Sequence, residues 1–226
     1  MLNSHLTRIV LSVHFFFFLG LPAGKQFFAA ETNDTNTIAS ESRNDVTMVH
    51  LNKNVAAFVK SYIRKNDETL ARVKEKSKLH FGMMDSMFIR YKLPVELKYL
   101  AVVESELNPR AVSRVGAVGP WQFMPKTAVL LGLKVTAKYD ERRLYKKSTK
   151  AAAIYLRDLH NEFGDWLLVL AAYNAGPGPV YKAIKKSGSR NFWKLQYHLP
   201  EETRSHVKKI IATHYYFEGQ ASLVIR

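Results

Sequence analysis

Apolar positions between residues 46 and 88 recur three and four apart, with Leu51, Val55, Phe58, Val59 and Tyr62 on one stripe. That is the spacing of a helix with one buried face, and the segment predicts one or two helices. Pro94 suits a first helical turn, and the pattern over residues 95–107 reads as a helix ended by Asn108-Pro109. A loop rich in Gly, Ser and Pro follows over residues 108–125, then a short helix over 126–131 closed by Gly132. Ser148 is a good N-cap for a helix over 149–163 that stops at Gly164. Asp165 caps the next, over 166–175, and Gly176-Pro177-Gly178 stops it. Further helices are predicted over 179–186 and 200–217. No segment alternates with a period of two and no repeat is present, so the fold class is all-α with many short helices.

Composition sets the scale. The 226 residues, 47% of them hydrophobic, suffice for one well-packed domain with a small extension. There are no cysteines, which excludes disulfides, a thiol nucleophile and Cys-ligated zinc. The eight histidines are scattered and no ligand-spaced cluster appears, so neither a metal nor any other cofactor is expected. Residues 1–30 carry Arg8, then an apolar run over 9–21 containing Phe15 to Phe18, then small residues at Ala23, Gly24, Ala29 and Ala30. The run is shorter than the ~20 residues of a spanning helix, and it reads as an export signal or as a retained N-terminal anchor. Residues 31–45 form a polar linker, 46–90 a helical extension and 91–217 the main domain. The formal net charge of +15 implies an acidic partner.

One residue is out of place. On a wheel of the helix over 95–107, Glu104 falls within the arc of Leu97, Leu100, Ala101, Val103 and Leu107. A carboxylate on an apolar face is costly unless it is paired or neutral. Desolvation favours the protonated acid, which is the form general acid catalysis needs. A buried structural carboxylate satisfies the same pattern. Within twenty residues stand Ser105, Asn108, Ser113 and Gln122, able to hydrogen-bond hydroxyls and amides, and Gly116 and Gly119, where the backbone can pass close to another group. Trp121 and Phe123 offer flat faces of the kind that stack on sugars. Together these suggest a carbohydrate cleft.

The stretch from Glu104-Ser105 through Asn108-Pro109, Ala111, Ser113, Gly116-Ala117, Gly119 and Trp121-Gln122 to Met124-Pro125 resembles the signature of lytic transglycosylases with the soluble-lytic (SLT) domain. Ala172-Tyr173-Asn174-Ala175-Gly176 resembles a second signature of that family, and Glu202-Thr203-Arg204 a third. The resemblance spans about residues 93–211 and implies a lysozyme-like helical fold with the substrate cleft between helical lobes. It implies Glu104 as the single catalytic acid and base. Ser113 would hold the substrate N-acetyl group, and Gln122, Tyr173 and Asn174 would line the cleft; Ser105 stands beside Glu104 at the helix end. Two positions depart from the pattern: Pro120 replaces an aliphatic residue, and His206 falls where a cleft tyrosine is frequent. His206 is therefore a site candidate and a source of altered pH dependence.

Glycosidases ordinarily use two carboxylates. Asp140, Glu141, Asp158, Glu162 and Asp165 all read as caps or surface charge. One carboxylate suffices where the substrate supplies the nucleophile, as the resemblance implies: the C6 hydroxyl of muramic acid attacks its own C1 and leaves a 1,6-anhydromuramoyl end. The expected partner is peptidoglycan, in the periplasm or cell envelope, with the basic surface drawn to anionic envelope or membrane. No zinc-finger or RNA-recognition signature points to nucleic acid. A hydrolytic lysozyme-type muramidase and a non-catalytic envelope glycan-binding protein are the alternatives.

Overall fold

The computed structural model describes residues 53–219. The signal or anchor over 1–30, the linker over 31–45 and the first residues of the extension lie outside the described residues. Nine α-helices form among the described residues: α1 (Lys53–Ser77), α2 (Phe81–Arg90), α3 (Lys98–Ser105), α4 (Pro125–Leu130), α5 (Tyr145–Phe163), α6 (Trp166–Ala175), α7 (Pro177–Ser187), α8 (Phe192–Leu195) and α9 (Glu201–Glu218). Short 3₁₀ turns at Val95–Leu97, Glu141–Arg143 and Gln196–His198 join them. Extended pairing among the described residues is limited to isolated bridges, two of them in the loop after α3. The all-α expectation therefore holds.

At the centre is α6. Every residue from Leu167 to Tyr173 is buried, as its unbroken apolar sequence requires. α5, α7 and α9 pack around it. Three consecutive alanines on α5, Ala151 to Ala153, are almost fully buried, and such small side chains permit close helix approach. α1 lies along α9 and buries Val55, Val59, Leu70 and Val73, so Val55 and Val59 of the predicted stripe belong to the same core as the helices that follow. α3 packs on α9 as well, which brings the helix bearing Glu104 against the last helix of the chain.

Boundaries differ from expectation where a tertiary contact decides them. Ser148 is not an N-cap. α5 begins at Tyr145, and the Ser148 hydroxyl donates back to the Leu144 carbonyl at 2.9 Å, inside the first turn. α7 starts two residues early, with Pro177 in its first turn. Asp165 caps α6 as predicted, its carboxylate accepting the Leu168 N–H at 2.9 Å. α8 was not legible as a separate element; Asn191 caps it through the N–H groups of Trp193 and Lys194.

The helix before the loop is shorter than the wheel assumed. A 3₁₀ turn covers Val95–Leu97, and α3 stops at Ser105. Glu106 and Leu107 both adopt left-handed backbone, with φ of 55° and 57°. The Glu106 N–H reaches the Val102 carbonyl at 2.8 Å, the single bond of a left-handed cap built without glycine, and the Leu107 N–H reaches that of Ala101 at 3.3 Å. Leu107 reaches the core because the chain doubles back, not because the helix continues.

Candidate active site

Glu104 sits in the last turn of α3, with its side chain 16% exposed. The left-handed turn after it is fastened from outside. The Tyr145 hydroxyl donates to the Leu107 carbonyl at 2.6 Å, and Lys76 of α1 donates to the Glu106 carbonyl at 3.1 Å. Ser105 donates its hydroxyl to the Pro120 carbonyl at 2.9 Å and accepts the Asn108 N–H at 3.1 Å. It ties the helix end to the loop on both sides. Pro120 is buried, and its carbonyl is what this tie uses.

The loop between α3 and α4 is held by a residue the sequence reading passed over. Arg142 is buried and forms a fork with Asp140, its Nη2 2.7 Å from Oδ2 and its Nε 2.9 Å from Oδ1. Its Nη1 donates to the carbonyls of Gly116 and Phe123 at 3.0 and 2.9 Å. The Arg142 guanidinium holds the Asp140 carboxyl below its ordinary range, chiefly through these hydrogen bonds. Gly119 lies against the same segment. A Cβ there would stand 2.0 Å from the Arg142 carbonyl oxygen, so the glycine admits neighbouring backbone rather than ligand.

Trp121 and Phe123 correct an expectation. They are 0% and 3% exposed and stack on no sugar. Trp121 meets Phe88 edge to face, and its indole N–H donates to the Thr149 hydroxyl at 3.1 Å. Their bulk anchors the loop to the core, and Gln122 between them takes a left-handed φ of 47°, rare for a residue with a side chain. The Gln122 amide donates to the Gly119 carbonyl at 2.8 Å.

The remaining sequence-selected residues divide into two groups. Glu104 and His206 are in direct contact, His206 Nε2 lying 2.9 Å from Glu104 Oε1. Tyr173, buried at the end of α6, donates its hydroxyl to the Trp121 carbonyl at 2.7 Å, next to Gln122. Burial, and then the charge of Glu104, keeps its phenol well above the ordinary tyrosine range, so it acts as a neutral donor. Asn174 Oδ1 accepts the Thr203 hydroxyl at 2.8 Å, one helical turn before His206. α3, α6, α9 and the loop thus meet around Glu104. Ser113 stands outside this network: its hydroxyl accepts the Ala117 N–H at 2.9 Å and closes the tip of the loop. A cavity of about 420 Å³ opens beside the end of α3, lined by Arg72, Val73, Lys76, Ser105, Glu106 and Asn108; Glu104 and His206 are not among its walls.

Other carboxylates have their own partners. Glu141 pairs with Lys147 and accepts the Lys134 N–H at 2.9 Å. Asp158 pairs with Arg157, and Asp165 caps α6. A half-buried carboxyl in contact with an imidazole and near a neutral phenol is suited to giving and taking one proton at a polar ligand.

Residues 89–196 match the family described as the transglycosylase SLT domain. Over 125 residues the chain is 46% identical to membrane-bound lytic murein transglycosylase D of Escherichia coli K12, covering 53% of this chain and 27% of that protein. Among solved structures, the 70 kDa soluble lytic transglycosylase of Escherichia coli aligns with a TM-score of 0.52 and 28% identity, over 62% of this chain and 25% of that one. An inactive mutant of lytic transglycosylase Slt from Pseudomonas aeruginosa aligns with a TM-score of 0.54 and 24% identity, over 62% and 24%. The chain spans about a quarter of the length of these relatives.

Proposed function

Since this chain carries a transglycosylase SLT domain, we propose that it cuts the glycan strands of peptidoglycan by lytic transglycosylation, with Glu104 as acid and then base. The observation that supports this most is the isolation of Glu104: a half-buried carboxyl beside His206, while Asp140, Glu141, Asp158 and Asp165 are engaged with other groups. A two-carboxylate hydrolase needs a second acidic group across the scissile bond.

In the first step protonated Glu104 gives its proton to the glycosidic oxygen between N-acetylmuramic acid and N-acetylglucosamine, and the C1–O bond breaks. The ionised Glu104 then takes the proton of the muramic C6 hydroxyl as that oxygen bonds C1. Bonds and protons balance within the sugar, and no water is consumed. Gln122 and Asn174, half-buried at the edge of the network, line the cleft near the reacting sugar, and Tyr173 supports the backbone beneath it. Ser113 receives the N-acetyl group at the loop tip. Muramic and peptide carboxylates make the substrate anionic, to which the surplus of Lys and Arg is complementary. No helix among the described residues is long and apolar enough to cross a membrane; export and envelope attachment belong to the proposal through residues 1–30.

The test is Glu104→Gln, which keeps the shape and removes the proton. Clearing of purified sacculi should fall by at least about a thousandfold with an unchanged circular dichroism spectrum. Normal clearing by the folded variant would refute the assignment.

A further inference from the structure

The contact between Glu104 and His206 places a second titratable group on the proposed acid. His206 is buried, its side chain 10% exposed, and its Nε2 faces Oε1 of Glu104 at 2.9 Å. Its other ring nitrogen, Nδ1, is buried and finds no hydrogen-bond partner among the described residues. The two nitrogens therefore have unlike surroundings, and these fix the state of the ring. An imidazolium carries a proton on both nitrogens and would leave a buried N–H without an acceptor. A neutral ring with its proton on Nε2 leaves only a lone pair unpartnered and donates its N–H to the carboxyl.

The elements packed against α9 carry these charged and titratable groups near His206 in the fold. α3 presents Glu104, and α6 presents the un-ionised phenol of Tyr173. On α9 itself Glu202 and Lys209 stand one turn to either side, Glu202 exposed and Lys209 half-buried. α1 brings half-buried Tyr62 beside Thr213, two turns beyond His206, and the turn before α9 carries exposed His198. Among the described residues, Glu104 is the one hydrogen-bonded to the ring.

We propose that His206 is a positioning residue, a neutral imidazole whose Nε2–H is given to Oε1 of Glu104 so that the carboxyl's proton is kept on Oε2, the oxygen free to meet the glycan. This rests on reading Glu104 as acid and base. When the acid has given up its proton, the same N–H bond becomes charge-assisted and stabilises the transient carboxylate. Because the ring stays neutral, it does not trap that carboxylate in an ion pair.

Two measurements test it. In the full chain with ¹⁵N-labelled histidine, the His206 signals at pH 7 should show one protonated and one bare nitrogen, with the proton on Nε2. An imidazolium signature, or a proton on Nδ1, would overturn the proposal whatever the activity. On peptidoglycan, His206→Phe should lose about tenfold to hundredfold in kcat, the worth of one charge-assisted hydrogen bond, with KM within about twofold. The alkaline limb of its pH profile should move upward, because the carboxylate has lost a donor. His206→Gln, a neutral N–H donor that does not titrate, should recover most of the rate. Wild-type kcat and profile in a folded His206→Phe would contradict the proposal, and so would a His206→Gln as slow as His206→Phe, since the ring's own titration would then be in use. Should the wild-type protein release no anhydro fragments, the functional reading falls instead, and the nitrogen signals still decide the state of His206.

Discussion

Arg142 shows what a single side chain does for this site without touching it. Its guanidinium binds Asp140 through two nitrogens and two loop carbonyls through a third, all in a buried position. Replacing it with Met leaves the Asp140 carboxylate and two carbonyls without their donors. Loss of one partner of a buried pair is expensive, so Arg142→Met should lower unfolding stability by about 3–5 kcal/mol, read from denaturant midpoints. The residue drew no attention in the sequence because an arginine in a polar segment has the pattern of surface charge, and the loop carbonyls it holds lie 19 and 26 residues away. The partial burial of Glu104 was legible for the opposite reason: a carboxylate in an apolar arc violates its surroundings. Trp121 and Phe123 misled because aromatic content is the same whether a ring packs in a core or faces a sugar; only burial separates the two.

At the level of elements, helix existence was readable and helix ends were not. Caps with local chemistry, such as Asp165 before α6 and Gly164 after α5, act where the sequence places them. The end of α3 is set by Tyr145 and Lys76 instead, from helices that only the fold brings near. The packing of α3 on α9 has a consequence for acid stability. His214 of α9 is buried and stacks on Tyr99 of α3 with ring centroids 5.2 Å apart. Burial lowers its pKa to about 4. As pH falls below about 6.5 the unfolded chain protonates this histidine while the folded chain does not. Stability contributed by the neutral ring is thus complete above about 6.5 and declines as pH falls to about 4. His214→Phe keeps the stack and removes the titration. Its Tm relative to the parent protein should rise steadily from pH 7 to pH 4; a constant difference across that range would contradict this.

At the scale of the molecule, the described residues form a helical frame in which Glu104 is presented where α3, α6, α9 and the α3–α4 loop converge. The excess of 34 Lys and Arg over 19 Asp and Glu suits approach to an anionic polymer, while the proposed function gives the chemistry to Glu104. The central claim is that the glycan itself supplies the nucleophile, and fragment mass reads this directly. Purified peptidoglycan digested with the protein in ¹⁸O-enriched water should release fragments one water lighter than ordinary muropeptides, with anhydro ends and no ¹⁸O. Fragments of full mass with reducing ends and one ¹⁸O atom would mean that water attacks, and would contradict the account.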